Sequence, residues 1–127
     1  MFAPKVLEER KSSINGDIRV VKDLAWGVHI QANGLPQSGG VVEAIWKGTV
    51  KKIKIKKPEI KNCLILGIGG GTVAKLIRKQ YPKSEILGID IDPIMVEMGR
   101  KYLGLDKENL KIEIKDAEEL GKDKYDL

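Results

Sequence analysis

The segment from Cys63 to Tyr81 constrains the fold more than any other part of the chain. Cys63 to Leu66 is an apolar run without polar alternation, which is typical of a parallel strand covered by helices on both faces. Gly67 to Gly71 follows directly and contains four glycines. Thr72 to Tyr81 then has the apolar spacing of a helix, with Pro82 just beyond its end. A strand that passes into a helix through glycines predicts one βα unit of a parallel sheet.

A second unit of the same kind follows the first. Glu85 to Ile89 is predicted to form a strand that ends on Asp90. Asp92-Pro93 is a helix start, an N-cap residue followed by proline in the first turn. Leu110 to Ile114 alternates as a third strand, and Tyr125 to Leu127 has the pattern of the start of a fourth. This order of elements predicts a doubly wound α/β sheet.

The first 40 residues are predicted to form a small β-hairpin module instead. Gly16 to Val21 and Trp26 to Ala32 are rich in strand-forming residues, and Asn33-Gly34 favours a tight hairpin turn. Pro36 and the glycines after it are expected to end any regular strand. His29 lies on the face opposite the apolar side chains of its strand, so we expect it to be partly exposed.

From residue 41 the apolar period becomes helical, and Lys57-Pro58 is expected to end that helix. Its apolar positions are Val42, Ile45, Trp46, Val50 and Ile53. The predicted fold class is therefore α/β with two domains. Residues 1–40 form the β-hairpin module, and residues 41–127 form the first half of a doubly wound, Rossmann-like nucleoside-binding domain.

Composition excludes several classes of site. The single cysteine, Cys63, excludes a disulfide scaffold within the chain and a cysteine-cluster zinc site. The single histidine, His29, argues against a histidine metal site or a Ser-His-Asp triad. No metal is therefore expected. There is no signal-peptide core or apolar run long enough to span a bilayer, so we expect no membrane association and a cytoplasmic location. The formal charge is +5, but the one lysine cluster, residues 51–57, has no interleaved aromatics. It is interpreted as a solvated face, and a nucleic-acid partner is not expected.

The glycine run and Asp90 predict a nucleoside site. Glycines at a strand-to-helix turn leave room for a ligand, and a carboxylate at the tip of the next strand can accept hydrogen bonds from both ribose hydroxyls. The dinucleotide fingerprint would need glycine at position 72, where the chain has Thr72. The spacing G-x-G-x-G therefore favours an S-adenosyl ligand, and an NAD-binding fragment is the less favoured alternative.

Several motifs together resemble one known family. The runs Leu64–Thr72, Gly88–Pro93, Asp116-Ala117 and Tyr125–Leu127 are similar to the class I S-adenosylmethionine-dependent methyltransferase fold. Within that superfamily, the N-terminal runs resemble the spermidine synthase family, which acts in polyamine biosynthesis; these runs are Asn15–Val20, Asn33–Ser38 and Glu43–Trp46.

The resemblance implies a ligand and a set of contacts. The ligand would be S-adenosylmethionine, its decarboxylated form or methylthioadenosine. Asp90 would hold the ribose hydroxyls, Ile91 would pack on the adenine, and Asp116 would accept a hydrogen bond from the adenine amino group. The glycines would wrap the amino-acid or aminopropyl tail. The full set of implied ligand contacts is Gly67, Gly69, Gly70, Gly71, Asp90, Ile91, Asp116, Ala117 and Gln37.

The chain also departs from the spermidine synthase pattern. Gly70–Thr72 lacks the family's acid in the glycine loop, and Glu43 lacks its paired acid and the tyrosine that follows. The family's catalytic aspartate would lie beyond Leu127, so the chain resembles a C-terminally truncated member and its catalytic residues are unknown. Two hypotheses follow: a spermidine-synthase-like protein that binds the sulfonium donor and transfers a methyl or aminopropyl group, or a catalytically silent binding or assembly module. The incomplete fourth strand also predicts a homodimer or larger oligomer.

Overall fold

A computed structural model describes residues 3–127. It contains a four-stranded sheet followed by a three-stranded sheet with helices. In chain order the elements are β1 (Lys5–Ser12), β2 (Gly16–Asp23), β3 (Gly27–Ala32), β4 (Leu35–Gly39), α1 (Gly40–Lys56), β5 (Asn62–Leu66), α2 (Thr72–Gln80), β6 (Glu85–Asp90), α3 (Pro93–Tyr102), a 3-10 turn (Leu105–Glu108), β7 (Lys111–Ile114) and a second 3-10 turn (Ala117–Glu119). The α/β class predicted from the sequence is confirmed.

The N-terminal part is an antiparallel sheet of four strands in the order β1-β2-β3-β4, larger than the predicted hairpin. Asn33 and Gly34 both have positive φ, 48° and 80°, as a tight hairpin turn requires. The expectation that Pro36 ends the strand is wrong, because β4 continues to Gly39. β4 is an edge strand, so the missing amide hydrogen of Pro36 costs no central ladder bond.

The expectation that His29 is partly exposed is also wrong. Its residue is only 6% exposed, because the chain turns from β4 into α1 over that face of the sheet. A Cβ added at Gly40 would lie 3.2 Å from the His29 Cβ. The ring is fully satisfied if Nδ1–H donates to the Gly27 carbonyl at 3.3 Å and Nε2 accepts from the Gln31 amide at 3.2 Å. His29 is therefore a structural residue of the junction.

The second sheet is parallel, in the order β5-β6-β7. On the other side of β5, the Asp126 amide donates to the Asn62 carbonyl at 3.1 Å, and the Leu64 amide donates to the Leu127 carbonyl at 2.9 Å. The C-terminal residues thus lie beside β5, in the place where the sequence predicts a fourth strand. This makes β5 an inner strand and brings the carboxyl ends of β5 and β6 together at one edge of the sheet.

Two apolar clusters hold these elements together. One lies between α1, α2 and the parallel sheet, and its buried members include Val50, Ile65 and Ile77. The other joins the N-terminal sheet to α3 through Ile18, Val20, Ile30, Ala32, Met95 and Met98. The two predicted domains therefore share a core across residues 16–32 and 93–102. Ile45, one of the apolar positions of the predicted helix, is 64% exposed and therefore lies on the outer side of α1. No helix within residues 3–127 is long and apolar enough to cross a membrane.

Polar contacts at the edge of the second cluster also tie β1 to α3. Glu8 accepts hydrogen bonds from the Lys101 ammonium at 2.5 Å and from the Tyr102 hydroxyl at 2.7 Å. These hydrogen bonds lower the pKa of Glu8 to about 2. The bond from Lys101 contributes most and the bond from Tyr102 is second. The Glu8 side chain is only 18% exposed and accepts both bonds, so it links β1 to α3.

We expect the stabilisation from Glu8 to depend on pH. The folded-state pKa, about 2, lies below the ordinary value of 4.5 for a glutamate, so the contribution is complete above pH 4.5 and is lost as the pH falls toward 2. Urea unfolding should show Glu8→Gln less stable than the unmodified chain at pH 7, with the difference shrinking steadily between pH 4.5 and pH 2. Glu9→Gln is the matched control, because Glu9 pairs with Arg19 within the same sheet. A difference that is constant with pH would contradict the assignment.

Candidate functional site

The loop between β5 and α2 leads from the sheet edge into a cavity. Gly67, Gly69 and Gly71 all have positive φ, at 75°, 55° and 93°, a conformation that side chains rarely adopt. A Cβ added at Gly67 would meet no atom within 4 Å, so this residue faces open space. A Cβ added at Gly71 would lie 2.3 Å from the Leu105 Cδ1. The first glycine of the loop thus leaves room for a ligand, whereas Gly71 leaves room for the protein's own core.

Asp90, at the end of β6, braces this loop. Its Oδ2 accepts from the Gly69 amide at 2.7 Å, and its Oδ1 accepts from the Asp92 amide at 2.9 Å. A carboxylate offers about four lone-pair positions, so two remain free for a ligand. Asp90 is half-buried and lines the cavity. It can therefore hold the loop and accept hydrogen bonds from a ligand at the same time.

The N-terminal sheet also holds this loop through hydrogen bonds. The Gly70 amide donates to the Ser38 hydroxyl at 2.8 Å, and the Gly39 amide donates to the Thr72 hydroxyl at 2.7 Å. Ser38 and Thr72 are almost completely buried. The sequence did not point to either residue, because the contacts join positions more than 30 residues apart and a lone serine or threonine has no distinctive spacing. These two bonds make β4 part of the site.

Asp92 caps α3, as predicted, and also reaches the N-terminal sheet. Its Oδ1 accepts from the Ile94 amide at 2.9 Å. Its Oδ2 accepts from the Ser12 hydroxyl at 2.6 Å and from the Asn15 side-chain amide at 2.7 Å. Burial alone would raise the pKa of Asp92, but the hydrogen bonds from Ser12, Asn15 and the backbone outweigh it and hold the pKa below its usual value. The residue is therefore a buried carboxylate with its acceptor positions occupied.

The cavity beside the loop has a volume of about 600 Å³, within the usual range of roughly 300–1,000 Å³ for small-molecule sites. Its polar lining residues include Asn15, Gln37, Ser38 and Asp90, and most of its apolar ones come from α1, β5 and α2. Two apolar side chains in the lining remain exposed, Leu66 at 55% and Ile91 at 46%.

The structure brings some of the predicted contacts together and separates others. Gly67, Gly69, Asp90, Ile91 and Gln37 all line the cavity. The remaining predicted contacts, Gly70, Gly71, Asp116 and Ala117, are not in its lining.

The separated residues have other neighbours. Gly70 and Gly71 are buried behind the loop surface. Asp116 follows β7, and its carboxylate accepts from the Glu118 amide at 2.9 Å, which caps the second 3-10 turn. The adenine contact implied for Asp116 and Ala117 remains a prediction.

Comparison with known proteins agrees with this architecture. A family model described as a methyltransferase domain matches residues 63–127. The chain belongs to this methyltransferase domain family. It therefore has the S-adenosylmethionine-dependent, class I methyltransferase-like fold, and the resemblance stated from the sequence is confirmed at that level. The matched span begins in β5 and includes the whole glycine loop and Asp90.

Relatives of this methyltransferase-domain protein differ in what they modify. This chain is 33% identical over 55 residues to the eEF1A lysine and N-terminal methyltransferase of Mus musculus, a match that covers 42% of this chain and 8% of that protein. It is 40% identical over 67 residues to malonyl-[acyl-carrier protein] O-methyltransferase 1 of Ilyobacter polytropus, covering 52% of this chain and 25% of that protein. The chain thus spans a quarter or less of these relatives.

The match to solved structures extends beyond the methyltransferase domain into the N-terminal sheet. The spermidine synthase of Thermotoga maritima matches with a TM-score of 0.72 and 22% identity, over 87% of this chain and 40% of that one. A spermidine synthase in complex with the transition-state analogue AdoDATO matches with a TM-score of 0.71 and 21% identity, over 87% and 39%. At these identities the likeness establishes the fold alone. The chain corresponds to less than half the length of either structure.

Proposed function

We propose that this chain binds S-adenosylmethionine, or its decarboxylated form, in the cavity beside the glycine loop and belongs to a transferase that moves the donor's methyl or aminopropyl group. The observation that carries the proposal is Asp90, which lies at the carboxyl end of β6 and holds the loop while lining the cavity. Membership of the methyltransferase domain family supports the donor. Sulfur in such a donor is a sulfonium, which activates the attached carbon for transfer when the donor is bound.

The residues present fit such a donor. Gly67 leaves open space where a side chain would otherwise project, so the tail of the donor can approach the backbone. Asp90 would accept from ribose hydroxyls with its remaining lone pairs. Ile91 and Leu66 provide exposed apolar surface for a base. The protein's contribution is mainly alignment, because holding a nucleophile against an activated carbon lowers the barrier without proton transfer at the donor.

The cavity favours methyl transfer over aminopropyl transfer. An amine acceptor needs a carboxylate to orient or deprotonate it. Asp90 is the only acidic side chain among the cavity-lining residues of the described chain, and the proposal assigns its two remaining lone pairs to the ribose hydroxyls, so none is left for an acceptor amine. The same scarcity of acids supports the second candidate function, a module that binds the nucleoside without transferring a group. A cytoplasmic location, expected from the sequence, is part of the proposal.

Calorimetric titration tests the proposed ligand class. We expect S-adenosylmethionine and S-adenosylhomocysteine to bind the purified chain, because both carry the ribose that Asp90 would hold. NAD is expected to bind at least tenfold more weakly, since the loop lacks the third glycine of the dinucleotide fingerprint. Decarboxylated S-adenosylmethionine reports whether the tail carboxylate contributes. Binding of NAD in preference to both S-adenosyl compounds would contradict the proposal.

We also propose that the chain self-associates. Large apolar side chains outside the cavity lining, Leu24, Ile45 and Ile55, are each more than 60% exposed. The outer edge of β7 has no neighbouring strand among residues 3–127. Exposed apolar surface and open strand edges both favour pairing between copies. Size-exclusion chromatography with light scattering should give at least twice the monomer mass of 14.1 kDa at micromolar concentration; a uniform monomer would contradict this expectation.

A further inference from the structure

The positive charge of this chain is concentrated in one segment. Residues 40–84 contain ten lysines, one arginine and two glutamates, so their formal charge is +9, whereas the whole chain carries +5. The rest of the chain is therefore net acidic, at −4. An asymmetry of this kind along a chain is typical of proteins with an anionic partner.

The fold places lysines of two helices side by side. Lys47 and Lys51 are one turn apart on α1. Lys75 and Lys79 are one turn apart on α2. All four are exposed, and they line a shallow groove where α1 packs against α2, which we call the lysine groove. The two pairs belong to separate runs of the sequence, and only the packing of the helices joins them.

Acids leave most of the lysine groove unneutralised. Lys75 pairs with Glu43 at 3.4 Å, and the part of the groove around Lys75 also contains Glu108. Within residues 3–127, no carboxylate forms an ion pair with the other three lysines, and no acid lines the part of the groove that they share. Like charges one helical turn apart repel each other, so a bound polyanion would relieve this repulsion.

The shape of the lysine groove matches the phosphate backbone of a nucleic acid. That backbone is a linear row of regularly spaced negative charges, which can follow a groove that has ammonium groups along it. A flat anionic bilayer would touch the ridges of the two helices and not the groove between them. The described residues that line the groove include no aromatic side chain that could stack on an unpaired base. Contacts to phosphates need no such side chain and do not depend on base sequence.

We infer that the lysine groove is a docking surface for the phosphate backbone of duplex nucleic acid, bound without regard to sequence. None of its four lysines lines the cavity proposed for the donor. The inference is therefore independent of the proposed function, and either can fail without the other. Since lysines that neutralise phosphates release counterions, the binding should weaken steeply as the salt concentration rises.

Fluorescence anisotropy with labelled DNA and RNA duplexes of mixed sequence tests the inference. The test variant combines Lys47→Gln, Lys51→Gln and Lys79→Gln, because glutamine has a helix propensity close to that of lysine and no charge. At low salt this variant should bind the duplexes at least about tenfold more weakly than the unmodified chain. The slope of log affinity against log salt should become shallower by about three, since each lost phosphate contact removes about one.

The matched control combines Lys11→Gln, Lys22→Gln and Lys107→Gln. These lysines are also exposed and form no ion pair within the described chain, but they lie outside residues 40–84. The control has the same net charge as the test variant and should keep most of the duplex affinity. Urea unfolding checks that both variants are folded.

Three results would overturn the inference. The first is equal weakening in both variants, which would show that net charge alone attracts the duplex. The second is that the unmodified chain binds neither duplex at low salt. The third is that phosphatidylserine vesicles or polyglutamate displace the labelled duplex at a lower concentration of negative charge than unlabelled duplex does, which would assign the groove to another class of partner.

Discussion

Replacing Gly99 with alanine is expected to lower the free energy of unfolding by about 3 kcal/mol, the upper end of the usual cost of overpacking. Gly99 lies in α3, directly against the glycine loop. An added Cβ would lie 2.7 Å from both the Cα and the carbonyl oxygen of Gly70. Backbone atoms cannot rotate away as a side chain can, and the Gly70 amide is tied to Ser38. The helix and the loop must therefore separate.

Gly48→Ala is the matched control for this experiment. Gly48 is also a helical glycine, in α1, but a Cβ at that position meets nothing within 4 Å. This variant should be more stable by roughly 0.5–1 kcal/mol, because alanine loses less backbone entropy than glycine in a helix. Urea unfolding of both variants provides the measurement. If the two substitutions change stability in the same direction, the close packing of α3 on the loop is refuted.

Replacing Asp90 with alanine is expected to weaken binding of S-adenosylhomocysteine by about 10- to 150-fold. This range corresponds to the roughly 1.5–3 kcal/mol that a hydrogen bond to a charged group contributes. The variant also removes the acceptor that holds the Gly69 amide at 2.7 Å, so the loop loses a brace as well as the ligand contact. Calorimetric titration measures the change directly.

Two further variants make the Asp90 result interpretable. Asp90→Asn keeps one acceptor oxygen and removes the charge, so its affinity should lie between those of the alanine variant and the unmodified chain. Asp106→Ala removes an exposed carboxylate that pairs with Arg100 outside the cavity, and it should bind normally. Equal affinity in the Asp90→Ala variant and the unmodified chain would exclude Asp90 from the ligand site.

The sequence predicts those parts of the fold that depend on residues close to one another in the chain. The apolar run at Cys63–Leu66, the glycines and Asp90 all lie within one strand-turn-helix-strand unit, where periodicity and turn chemistry indicate the structure directly. The Asp92-Pro93 helix start is predictable for the same reason, since N-cap and first-turn preferences depend on two adjacent residues.

The parts that the sequence does not predict depend on contacts between distant residues. Nothing near Ser38 indicates that its hydroxyl accepts from Gly70, or that Asn15 meets Asp92, because the partners are 32 and 77 positions apart. Gly67 and Gly71 look equivalent in the sequence, yet one faces the cavity and the other faces Leu105. Burial of His29 depends on where the chain turns into α1, which the strand pattern does not specify.

Two hydrogen bonds, from the Gly70 amide to Ser38 and from the Gly39 amide to Thr72, join the N-terminal sheet to the loop of the proposed nucleoside site. By thermodynamic linkage, a ligand that stabilises the loop also stabilises the edge strand β4, which is bonded to it. Local opening of β4 would release the loop and lower ligand affinity, and a bound ligand would in turn suppress that opening. The N-terminal sheet can therefore tune ligand affinity through its own stability, including at positions that never touch the ligand.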